Sequence, residues 1–116
     1  MRPLVRGKDN ADSMRPYFEA HGVTLYHGDC REFSAPPCSM TLADPPYGET
    51  SLPWDRWPDG WVRGVVGESF WCFGSLRMFL KHVDEFDDWK FAQDLIWEKH
   101  NGSGFHATVS SVSMRR

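Results

Sequence analysis

Apolar and polar positions along this chain change over in short blocks, so the elements they predict are short too. Residues 1–14 mix charges without a period and read as a flexible leader. Arg15-Pro16-Tyr17-Phe18-Glu19-Ala20-His21 predicts a short helix closed by Gly22 at its C-terminal side. Val23-Thr24-Leu25-Tyr26-His27 is β-branched and aromatic, which predicts a strand ending at Gly28-Asp29. Residues 30–33 allow one helical turn before Pro36-Pro37 breaks the chain. Met40-Thr41-Leu42-Ala43 is a brief continuous apolar run, as in a strand buried on both faces. Asp44-Pro45-Pro46-Tyr47-Gly48 stops it, because proline cannot continue a central strand.

Residues 49–58 form a loop, and Asp59 is placed to cap a helix over 60–68. A third strand is predicted over 69–73. Ser75 then caps a stronger helix in which Leu76, Phe79, Leu80, Val83 and Phe86 recur at helical spacing. Residues 90–97 give a fourth strand, followed by the loop from Glu98 to Gly104. Strands alternating with helices in this way predict an α/β sheet with crossover helices. Residues 107–116, Ala-Thr-Val-Ser-Ser-Val-Ser-Met-Arg-Arg, fit no element and read as an irregular tail. A sheet of this size is small for a doubly wound fold, so the chain is expected to be a truncated piece of a larger domain.

Composition narrows the function. The 116 residues suit one domain, and 41% apolar with 25% charged residues exclude a disordered or fibrous chain. A net charge of -3 excludes bulk phosphate neutralisation as the activity, while leaving room for a local nucleic-acid site. No apolar run reaches the length of a membrane helix, and the N-terminus has no apolar signal-peptide core. Cys30, Cys38 and Cys72 are odd in number and have no metal-type spacing, which reads as reduced thiols in a cytoplasmic protein. Six Trp and eight Phe are dense for this length; most serve packing, and a few are available to line a pocket for a planar ligand.

The chemistry concentrates at Leu42-Ala43-Asp44-Pro45-Pro46-Tyr47. A Pro-Pro pair alone is a rigid turn, and Pro36-Pro37 is a second one. Here the pair follows a buried strand, and ligands of open α/β sheets bind beyond the carboxyl ends of strands. Asp44 brings two acceptor oxygens. Pro45 fixes φ and leaves its carbonyl on a stiff frame. Two adjacent acceptors suit an NH2 group, and Tyr47 offers a face for a stacked ring, worth about 1–3 kcal/mol per base. The target so described is an exocyclic amine on a nucleobase. Acceptors on its hydrogens favour a tetrahedral nitrogen and stabilise the positive charge that develops as it attacks. A paired base has to flip out to reach such a site.

With these residues the chain resembles the amino-group DNA methyltransferases. The resemblance implies a partial Rossmann-like methyltransferase sheet, S-adenosylmethionine as cofactor and DNA as partner. It also implies methyl transfer to adenine N6 or cytosine N4. Asp44, Pro45, Pro46 and Tyr47 match the family's catalytic tetrapeptide, and Asp in its first position leans towards adenine. Leu25-Tyr26-His27-Gly28-Asp29-Cys30 is similar to the segment whose acidic residue, here Asp29, contacts the cofactor. Trp54-Asp55-Arg56-Trp57 is similar to the loop near the substrate, and residues 95–101 to a later strand-plus-loop motif. The likeness spans residues 23–106, so a partial catalytic domain is expected over 15–106. The family's Gly-rich cofactor loop is not matched; Gly102-Ser103-Gly104 is not in its context, and the loop would lie further along a longer chain.

Plainer roles compete at each position. Asp44 and Asp29 also suit turns, Tyr47 a strand-end packing role, and Lys99 and His100 a solvated loop. His27 and His82 have no Ser or Cys partner at catalytic spacing. Trp54, Trp57 and Trp61 suit packing. The alternative to an enzyme is an inactive remnant that binds nucleic acid or protein. A third reading is methylation of another amine, on RNA or protein.

Overall fold

A computed structural model describes residues 15–98 and 108–116, apart from the side chains of 108–110. The leader and the loop at 99–107, with Lys99, His100 and the Gly102–Gly104 segment, lie outside the described residues. The chain divides into two units, Met1–Ala35 and Pro36–Arg116.

In the first unit, β1 (Phe18–Ala20) and β2 (Val23–Leu25) form an antiparallel hairpin. This corrects the helix expected over 15–21. So few residues cannot sustain an isolated helix. His21 and Gly22 instead take φ of 53° and 76° between the paired residues Ala20 and Val23. Two successive positive φ values make the tight turn whose twist matches paired strands. Gly22 is therefore a hairpin residue. The expected turn after Asp29 is present as a 3-10 turn over Cys30–Glu32, with the Asp29 side chain accepting from Arg31 N.

The second unit holds β3 (Met40–Ala43), β4 (Ser69–Gly74), α1 (Leu76–Lys81), β5 (Lys90–Glu98) and β6 (Thr108–Arg115). The sheet order is β3-β4-β6-β5, with β3 parallel to β4 and β6 antiparallel to both its neighbours. The partial Rossmann-like α/β sheet with crossover helices is thus contradicted. The described chain is mainly strand, in two sheets, with one short α-helix. The link from β3 to β4 contains four prolines and four glycines (Pro45, Pro46, Pro53, Pro58; Gly48, Gly60, Gly64, Gly67), which deny it a helix. The helix expected over 60–68 shrinks to a 3-10 turn, Trp61–Gly64, after which Val65 is already extended. The irregular tail is also corrected. Residues 108–115 form β6, and Ser111-Val112-Ser113-Met114 alternates in period with the pleat.

That alternation places the core. Phe70 and Cys72 of β4 and Met114 of β6 are buried, and Val112 packs against them part-buried. Trp61, Val62 and Val65 of the β3–β4 link cover this face, together with Met78 of α1, Phe86 and Trp89. Phe70 is the hub: its ring meets Trp61 edge-on at 5.9 Å, Phe86 stacked at 6.1 Å and Trp89 at 5.2 Å. The helix after Ser75 breaks at His82 and continues as a 3-10 turn over Val83–Phe86. Among the described residues no helix is long and apolar enough to cross a membrane.

Candidate active site

Because β3 and β4 run parallel, their carboxyl ends lie side by side, with Ala43 paired to Cys72. Asp44 follows Ala43 directly and is exposed, so its carboxylate faces solvent at the sheet's rim. Pro45, Pro46 and Tyr47 are half-buried. The structure therefore brings the four residues of the tetrapeptide together at one strand end. Tyr47 packs its ring against the core, and its hydroxyl donates to Asp44 Oδ1 at 3.5 Å, the outer limit of a hydrogen bond. Among the described residues Asp44 Oδ2 and the Pro45 carbonyl accept nothing. Two acceptors are thus left open at this strand end, beside the residue whose hydroxyl reaches Asp44 Oδ1.

Burial, then the nearby Asp44 charge, pushes the Tyr47 phenol up to about 12. The same two causes raise the Cys72 thiol to about 12. Both groups are therefore neutral at ordinary pH.

The loop after the motif is fixed by a residue that the sequence reading placed only within a segment. Asp55, 6% exposed, accepts from Gly48 N at 2.8 Å, Glu49 N at 3.1 Å, Thr50 N at 2.8 Å and Thr50 Oγ1 at 2.6 Å. These donors, the Thr50 hydroxyl first, hold its carboxyl below the usual carboxylate range. They also tie down the three amides that follow Tyr47. Glu49 in turn accepts from the Ser75 hydroxyl, joining the loop after β3 to the cap of α1.

Glu85 holds the far side of the loop. It accepts from Trp57 Nε1 and from Gly60 N, both at 2.5 Å. The Trp57 ring lies flat on His82, with centroids 4.0 Å apart and planes 6° off parallel. Trp57 and Trp61 are packing residues, as their plainer reading holds, whereas Trp54 is 69% exposed. The signal for Asp55 was in the sequence: a lone carboxylate between two tryptophans. Glu85 gave no such signal, since its partners lie 25 and 28 positions away.

Asp29 belongs to the first unit and is described within it. Its carboxylate is filled by Arg31: Oδ1 accepts from the amide at 2.9 Å and from Nε at 3.0 Å, and Oδ2 accepts from Nη2 at 2.6 Å. The Arg31 contacts hold its carboxyl down to about 2. So engaged, Asp29 does not fit an acceptor for the hydroxyls of an adenosyl group.

A cleft of about 490 Å3 opens in the second unit, lined by residues of the α1-to-β5 segment, β5 and β6. Neither Asp44 nor Tyr47 lines it. The chain matches no protein-family model and no curated protein.

Proposed function

We propose that the rim of β3 binds the exocyclic amine of a flipped nucleobase, adenine before cytosine, as the acceptor half of an amino-group DNA methyltransferase. The observation that carries this reading is the pair of open acceptors, Asp44 Oδ2 and the Pro45 carbonyl, next to the Tyr47 ring. An NH2 group offers two donors to two acceptors, and the aromatic face takes the base plane. In methyl transfer the amine nitrogen would take the methyl as the donor's C–S bond breaks and would lose a proton to solvent, and the Asp44 carboxylate would offset the positive charge that develops on it meanwhile. Tyr47, held neutral by its raised pKa, points its hydroxyl at Asp44 Oδ1. Asp55 holds the following amides, so the turn does not relax when the base enters. S-adenosylmethionine is the methyl donor that the resemblance implies. Asp29, its expected contact, is taken up by Arg31, so the reading rests on the amine-binding half.

The test compares two duplexes, each with a purine-type base opposite an abasic site. One carries adenine and the other carries purine, which lacks the amine. Adenine is expected to bind about tenfold tighter, the worth of one hydrogen bond to a charged group. Asp44→Ala is expected to remove that preference and leave thermal unfolding nearly unchanged. Equal affinity for the two bases in the parent protein overturns the proposal.

A further inference from the structure

The cleft in the second unit has a composition of its own. Its walls include four aromatic rings, Phe79, Phe86, Trp89 and Phe91, and Val112 and Met114 of β6 contribute to its lining. Its volume, about 490 Å3, falls within the range that encloses small ligands. Two carboxylates, Asp87 and Asp94, also line it, and both residues are exposed. Among the described residues neither has a hydrogen-bond or ion-pair partner. Lys90 stands on the same strand as Asp94 without bridging to it.

We propose that this cleft is a binding site for a small hydrophobic ammonium ion, an arylalkyl amine or a quaternary ammonium. An apolar hollow alone selects for size and not for charge. Here the ring faces carry negative quadrupoles and attract a desolvated cation, while Asp87 and Asp94 set a negative potential at the edge. The Trp89 indole already shows this affinity on one face. The Arg116 guanidinium lies 4.6 Å from its ring centroid and is held there by the carbonyls of Val65 and Gly67 at 2.8 and 3.3 Å. An anionic ligand would meet two like charges, and a neutral one would leave both carboxylates unused.

The site is separate from the acceptor pair at Asp44 and Pro45 and stands whether or not that pair binds a base. Phenethylammonium and phenethyl alcohol, matched in shape and differing in charge, are titrated into the full chain by calorimetry at low salt. The Trp89 indole N–H is followed by NMR in parallel. The ammonium is expected to bind saturably, about tenfold tighter than the alcohol, and to shift the Trp89 signal. The double variant Asp87→Asn/Asp94→Asn keeps the exposed shape and is expected to bring the two affinities together. Val83→Trp, which fills the cleft from its wall, is expected to abolish both. Equal affinities in the parent protein overturn the proposal. So does failure of the ammonium to saturate, or a preference that survives the double Asn variant.

Discussion

Replacing Glu85 with Ala cuts the latch that holds the post-motif loop to the body of the second unit. Two donors lose a charged acceptor: the indole Nε1 of half-buried Trp57 and the amide of Gly60. Hydrogen bonds to a charged group are worth about 1.5–3 kcal/mol each. Gly60 is exposed, so water recovers most of its share. Trp57 is pinned between His82 and Trp61 and recovers less. The sum comes to roughly 2–3 kcal/mol. In a unit of this size that lowers the thermal midpoint by roughly 10–20 °C, read by near-ultraviolet circular dichroism. Glu85→Gln keeps one acceptor oxygen and should cost about half as much. Trp57→Phe, combined with Glu85→Ala in a double-mutant cycle, should show a coupling of at least about 1 kcal/mol. A Glu85→Ala protein within about 0.5 kcal/mol of the parent, or additive effects in the cycle, would refute the latch.

Gly67→Ala puts a β-carbon 3.1 Å from the Cys38 carbonyl and 3.2 Å from Ser39 backbone atoms, at φ 103°, a conformation that L residues rarely adopt. It should destabilise the junction of β3 and β4 by about 2 kcal/mol or more in urea unfolding. Alkaline pH gives a signed test. Cys72 and Tyr47 hold their protons to about 12 in the folded state, against 9.0 and 10.0 as ordinary values. Below pH 9 their contribution is fully present. As pH rises towards 12 the unfolded chain releases these protons first, so stability should fall across that window. Urea midpoints measured from pH 8 to 11 check the fall, and it should be smaller in Tyr47→Phe.

The positions of β3 and β4 were legible because both are short, apolar and bounded by strong breakers, but β3, expected to be buried on both faces, is an edge strand with Met40 and Leu42 exposed. Met40–Ala43 ends at Asp44-Pro45-Pro46, and β4 ends at Gly74 before the Ser75 cap. Ser75 performs as expected, accepting from Met78 N at 3.0 Å. The layer architecture was not legible. Strand–helix alternation suggests crossovers, but the β3–β4 link is too rich in glycine and proline for a helix, and β6 forms where the sequence reads as an irregular tail. Its serines weaken the strand signal, since Ser111 and Ser113 are polar yet buried. Burial there reflects the strands on either side, which a local reading does not see. At the candidate site the four motif residues were legible one by one. The clamp formed by Asp55 and the Ser75–Glu49 link depend on tertiary proximity and were not.

The sixth strand has a kinetic meaning as well. It is the last of the described strands in sequence, yet it occupies an inner position, with β4 on one flank and β5 on the other. Ser69 meets Arg115 there, so zipping that seam closes a long loop. While the chain is being synthesised, β4 and β5 therefore emerge with nothing between them, and their unsatisfied amides are templates for mispairing. Productive assembly is a late step that waits for residues 108–115.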